Sequence, residues 1–319
     1  MTVWMQLAAA LTAAIASGVM GMALVPFLRK LRFCEPEIPD DPEKAAAQPK
    51  LLPTMGGILL VFGCLTGMVI SYALSRTSGI TDSTSAAVQQ ELRETGAALG
   101  YAVLCAAMGF AEDLQLVRRR TIRQIPKIMQ FLVVFFLTAA FLQLTGMEST
   151  VLEFGFWRYN AGVLYLPLTA AGAALLWMCA ARMEENPDGT GISVGAIVLL
   201  SAAVVLIQNA KTFPALLSLA AAGACMGCFV WSLHPAKCRI GRTGTFWLCG
   251  MITAVCLLTQ QHLAMLLLTA AYPVNLLPAL RKRGCTLQKQ MADAGMKHWQ
   301  QIAVPAGFAL FSGMILMII

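Results

Sequence analysis

The fold is decided between Thr190 and Leu233, TGISVGAIVLLSAAVVLIQNAKTFPALLSLAAAGACMGCFVWSL, where Lys211 is the one charged side chain. It holds two apolar runs, 190–208 and 214–233. A helix of roughly 17–25 apolar residues is long enough to cross the hydrocarbon core of a bilayer. Working outward, the same reading finds eight more such runs: 5–28, 52–75, 97–113, 128–146, 162–181, 244–260, 262–280 and 300–319. The runs at 97–113 and 244–260 are the shortest. The first is too long for a signal-peptide core and has no basic residue before it, so it reads as a true span.

Composition agrees. Of 319 residues, 58% are hydrophobic and 12% charged, against about 25% charged in an average soluble domain. This excludes an ordinary cytosolic enzyme, a disordered chain and a free nucleic-acid binder. The expected fold is all-α: a polytopic membrane protein, one integral-membrane domain over 1–319, with about ten transmembrane helices. Pro273 and Pro278 predict a kink or break in the span 262–280. The segment 82–96 is expected to form a short surface helix. Cys64, Cys105, Cys179, Cys225, Cys228, Cys249 and Cys256 lie within apolar runs and read as small hydrophobes. His234, His262 and His298 are too dispersed for a metal cluster.

Orientation follows from Lys and Arg in the loops. The alternate loops 29–51, 114–127, 182–189, 234–243 and 281–299 hold 19 of them, and the opposite set holds 4. Both termini are therefore expected outside, with five basic loops in the cytoplasm of a multi-pass plasma-membrane protein. Much of the net charge of +7 then lies beside anionic head groups, where it attracts membrane lipid and anionic substrates alike.

The unusual polar residues gather in those loops. Pro53-Thr54-Met55-Gly56-Gly57 opens span two. Glu112 and Asp113 end span three, where oxygen ligands would suit Mg²⁺ and a solvated helix end is the plain alternative. Glu184-Glu185-Asn186-Pro187-Asp188-Gly189-Thr190-Gly191 opens span six, and its free N–H groups could receive a phosphate or simply cap a helix. His234 to Thr245 carries Lys237, Arg239 and Arg242 before Thr243-Gly244-Thr245. Carboxylates, glycines and cations on one face suit metal-assisted chemistry on a phosphate ester.

Taken in this order, the motifs resemble those of the phospho-N-acetylmuramoyl-pentapeptide transferases, within the wider polyprenyl-phosphate N-acetylhexosamine-1-phosphate transferases. The likeness runs through four of the basic loops, and Pro53 to Gly57 is its most specific piece. It implies transfer of a phospho-sugar from a UDP-linked sugar to undecaprenyl phosphate or another polyprenyl phosphate. It also implies UMP release, Mg²⁺ at the cytoplasmic face, a role in cell-wall or polysaccharide precursor synthesis, and a homodimer. By position it implies Glu112, Asp113 and Asp188 as catalytic acids, with Glu112 and Asp113 as metal ligands. Lys50, Thr54, Lys127, Asn186, Gly189, Lys237 and Arg242 fall to substrate binding, and Lys127 with Gln130 matches a Lys-x-x-Gln at the start of span four.

The departures sit at motif centres. Glu112 replaces an Asp, Leu116 a Lys, and Glu185 an Asn. Gly191 lies nearest a missing second Asp, and Gln288-Lys289-Gln290 replaces a three-histidine motif. Arg242 stands where the pattern has a metal-binding Asp, so it is expected to fill the metal's position. Two readings remain: a divergent transferase, and a non-catalytic homologue that binds lipid or nucleotide or regulates a partner.

Overall fold

The computed structural model describes residues 3–31, 33–36, 51–77, 85–117, 126–146, 151–154, 157–183, 189–233, 236–281 and 287–318. In lipid every backbone N–H and C=O must be satisfied within the chain, so long apolar runs become helices. Among the described residues nine helices are long and apolar enough to cross a membrane. They are α1 (Val3–Lys30), α2 (Gly57–Thr77), α3 (Ala86–Val117), α4 (Lys127–Thr145), α5 (Tyr165–Met183), α6 (Thr190–Gln208), α7 (Thr212–Ser232), α8 (Gly241–Leu258) and α12 (His298–Ile318). The protein is an all-α, multi-pass membrane protein.

The expected span 262–280 is instead two short helices, α9 (His262–Thr269) and α10 (Ala271–Arg281). Pro273 causes this break: it has no N–H for the Thr269 carbonyl, and its ring crowds that oxygen. Pro278 sits inside α10 without ending it. The expectation of a separate surface helix at 82–96 is corrected. From Ala86 onward that segment is the first part of α3, one continuous helix of 32 residues. At 1.5 Å per residue α3 is about 48 Å long, well beyond a hydrocarbon core of roughly 30 Å. A last short helix, α11 (Leu287–Asp293), precedes α12.

Two small antiparallel hairpins interrupt the helices, and sequence periodicity had not suggested either. In one, β1 (Cys34–Pro36) pairs with β2 (Leu51–Pro53), with Cys34 opposite Pro53. In the other, β3 (Val151–Phe154) pairs with β4 (Trp157–Asn160).

The centre of the bundle is α6, α7 and α8, whose membrane windows are 72%, 78% and 89% buried; those of α4 and α12 are 28% buried and form the periphery. Small residues set the closest approaches, as expected where lipid offers no hydrophobic drive between helices. Gly223 and Gly227 of α7 bring that helix against the Ala10 and Ala14 carbonyls of α1. Trp231 Nε1 then donates to the Gly18 carbonyl at 3.0 Å. Cys225 and Cys228 are buried within α7, in keeping with a packing role.

Candidate active site

The N-terminal ends of α2, α4, α6 and α8 meet the C-terminal ends of α1, α3 and α7 at one end of the bundle. Backbone hydrogen bonds tie the Pro53–Gly57 segment to its neighbours. Thr54 N–H donates to Phe33 O at 2.9 Å, Arg239 N–H to Pro53 O at 2.8 Å, Gly56 N–H to Arg239 O at 2.9 Å, and Gly57 N–H to Ile240 O at 2.8 Å. Two segments about 185 residues apart in the chain are thus zipped together. Gly57 is needed there, because a Cβ would collide with the Gly244 backbone. Gly109 likewise admits the Arg242 carbonyl against α3. Met55 is buried with φ of 71°, a left-handed conformation that costs a non-glycine residue about 1–3 kcal/mol and persists only where its surroundings enforce it.

Asp113 is the pivot. It is 4% exposed, and its carboxylate accepts three hydrogen bonds from the first turn of α8. Arg242 N–H reaches Oδ1 at 2.9 Å, Thr243 N–H reaches Oδ2 at 2.8 Å, and the Thr243 hydroxyl reaches Oδ2 at 2.6 Å. A helix start leaves N–H groups unsatisfied and carries partial positive charge. The residue before α8, Ile240, offers no side-chain cap, so α3 supplies one from outside. Thr243 was not foreseen as part of this site. Its signal was the Thr243-Gly244-Thr245 cluster before a span, which reads equally as plain helix packing.

Glu112, one residue earlier, points elsewhere. Its Oε1 accepts from Gln130 Nε2 of α4 at 2.6 Å, joining the family-like Lys-x-x-Gln to the acid pair. Arg242 is half-buried and its charge acts on both Glu112 and Asp113. Among the described residues, however, its guanidinium makes no hydrogen bond or ion pair.

The other expected residues divide into three groups. Lys127 is exposed at the start of α4, one helical turn before Gln130. Lys237 is exposed, with its ammonium 5.5 Å from the Trp231 ring centroid. Gly189 has φ of 73° and leads directly into α6. Thr54 is 3% exposed, and its N–H serves the loop. Lys50, Asn186 and Asp188 lie outside the described residues.

Among the described residues no three His, Cys, Asp or Glu side chains gather to hold an ion. Asp113 has three of its lone-pair directions taken, and Glu112 faces an amide and a nearby guanidinium. Magnesium takes oxygen ligands in near-ideal octahedral geometry, and a guanidinium at the same place repels it. The described residues do not fit Mg²⁺.

Comparison with known proteins gives the family. The sequence model described as "Glycosyl transferase family 4" matches residues 96–260. That stretch runs from α3 through α8 and contains Glu112, Asp113, Gln130 and Arg242. Curated relatives named phospho-N-acetylmuramoyl-pentapeptide-transferase include one from Desulforudis audaxviator, 25% identical, with 86% of this chain and 82% of the relative covered. One from Shouchella clausii is 26% identical over 83% and 78% of the two chains. One from Thermosynechococcus vestitus is 30% identical over 79% and 63%. The family match spans half of the chain, and the segments it joins converge on one site. This chain belongs to glycosyl transferase family 4.

Proposed function

We propose that the protein transfers a phospho-sugar from a UDP-linked sugar to a polyprenyl phosphate, undecaprenyl phosphate in a bacterial plasma membrane. The reaction serves cell-wall or polysaccharide precursor synthesis at the cytoplasmic face. An oxygen of the lipid phosphate attacks the sugar-bearing phosphorus of the UDP-sugar. The bond from that phosphorus to the bridging oxygen breaks, and UMP leaves. One observation supports this reading above others. The Pro53–Gly57 segment, the Glu112–Asp113 pair, Gln130 and the Arg239–Thr243 segment, distant in sequence, are hydrogen-bonded into one cluster. The nineteen-to-four split of basic residues is what supports the cytoplasmic assignment.

In this reading Glu112 is the acid that faces the reacting phosphates, and Asp113 positions the start of α8. Asp188 as a further acid and Asn186 as a substrate ligand, which precede α6 in the chain, complete the assignment. Lys127, Lys237 and Arg242 bind phosphate, and Lys50 with Thr54 and Gly189 lines the approach. The described residues do not fit the Mg²⁺ that the resemblance implies, so in this reading the charge of the pyrophosphate is met by these cationic side chains.

A second reading, binding without transfer, is favoured by the capture of Asp113. Of two adjacent acids, one is consumed as a helix cap. The test is UMP release by the purified protein from UDP-N-acetylmuramoyl-pentapeptide or UDP-N-acetylglucosamine with undecaprenyl phosphate. Release from either donor, lost in Glu112→Ala, is expected. Silence with both donors from folded protein would replace transfer by the binding reading.

A further inference from the structure

Arg242 has a fixed backbone and, among the described residues, an uncommitted head. Its N–H is held by Asp113 Oδ1 at 2.9 Å, and its carbonyl sits against Gly109, where no Cβ would fit. Its Cα is therefore pinned between α3 and α8. Its side chain is half-buried, and among the described residues its guanidinium has no hydrogen-bond or ion-pair partner. An unpaired guanidinium in a partly desolvated place is costly unless an anion arrives.

The charges around it narrow the ligand. Asp113 is engaged by the helix start that it caps, with three hydrogen bonds on its carboxylate. Glu112 is held by Gln130 at 2.6 Å and stands within electrostatic reach of Arg242 without a contact ion pair. An aspartate carrying a bound divalent cation has one net positive charge. An arginine has the same, with five donors in a planar fork that matches phosphate oxygens. A cation and a guanidinium cannot share that place cheaply.

We infer that Arg242 holds a phosphate group of the substrate directly, so that phosphate binding in this protein needs no divalent cation. The inference rests on the site proposed above and adds how that site receives its anion. The phosphate belongs either to the lipid or to the nucleotide, and both present the same chemistry to the fork.

The test uses the full chain in detergent micelles. Undecaprenyl phosphate and uridine diphosphate are the two probes, undecaprenol is the uncharged control, and binding is measured in EDTA and in Mg²⁺. At least one phosphate probe should bind equally well in both, within about twofold. Arg242→Ala should weaken that binding by about ten- to a hundredfold, the usual worth of hydrogen bonds to a charged group, and leave undecaprenol unchanged. It keeps the backbone N–H that Asp113 holds, so its melting temperature should match the parent. Arg242→Lys keeps charge without the fork and should fall between. Arg242→Asp should bind the phosphate probe only when Mg²⁺ is present. Phosphate binding by the parent that requires Mg²⁺, no loss in Arg242→Ala, or no binding of either probe would each overturn the inference. Failure of the transfer reading looks different: Arg242-dependent binding persists in EDTA while no donor yields UMP.

Discussion

The two ends of α3 carry the same kinds of residue and use them differently. Toward Ala86, Glu91 Oε2 accepts the Phe213 N–H at 3.1 Å and so caps α7. Glu94 pairs with Lys211 at 3.1 Å and accepts from Gln90 Nε2, also at 3.1 Å. Gln90 in turn donates to the Thr145 carbonyl at 2.9 Å. Glu94, which is 5% exposed, has thus found its cation. Toward Val117, Asp113 caps α8 just as Glu91 caps α7, yet Glu112 meets an amide and Arg242 meets no contact partner among the described residues. Both ends pin α3 to a neighbouring helix start. One end is closed by a contact ion pair, and at the other Glu112 and Arg242 stand near each other without one. A buried charge left open is expensive, and it persists where a ligand completes it.

Breaking the cap at the open end should have the largest effect on stability. Asp113→Ala removes three hydrogen bonds to a carboxylate and should cost about 3–4 kcal/mol, read from thermal unfolding in detergent. At the closed end, Lys211→Ala strands Glu94. A fully buried pair would lose about 3–5 kcal/mol, but partial solvent access at Lys211 reduces the expectation to about 2 kcal/mol. The double change Glu94→Gln with Lys211→Met should recover most of it, a result that a purely shape-based contact would not give. Thr243→Val keeps the side-chain volume and the backbone cap but loses one hydroxyl, so about 1 kcal/mol is expected. The smallest effect is kinetic. Burial pushes the Cys238 thiol up to about 12, and its Sγ lies 3.4 Å from the Pro53 carbonyl. A thiol held protonated is a poor nucleophile. Cys238 should resist maleimide at neutral pH in folded protein and react once the protein is unfolded; prompt labelling of folded protein would show that the Pro53–Arg239 junction is open.

Much of this was legible before any coordinates. Apolar run length placed the helices, because lipid leaves the backbone no other solution. Pro273 announced the break in the span 262–280, and alternating basic loops foretold which helix ends would meet. What remained hidden was long-range. Residues 82–96 are polar enough to read as a surface piece, and only packing shows that α3 is continuous from Ala86 onward. Nothing in Glu112-Asp113 says that one acid caps α8 while the other reaches α4. That division depends on where Gly241 turns the chain, at φ of 68°, which a list of motifs does not contain. Arg242 stood out as an anomaly in the sequence, and the structure adds that its backbone is fixed while its head engages no partner among the described residues.

The central claim is that the adjacent acids have separate work, Asp113 in the fold and Glu112 toward the ligand. The most direct measurement is the melting temperature of Asp113→Ala beside that of Glu112→Ala. For a chain of 319 residues a loss of 1 kcal/mol lowers the melting temperature by about 1.5 °C. The account predicts a fall of about 4–6 °C for Asp113→Ala and about 1 °C or less for Glu112→Ala. Equal falls, or a larger one for Glu112→Ala, would contradict it.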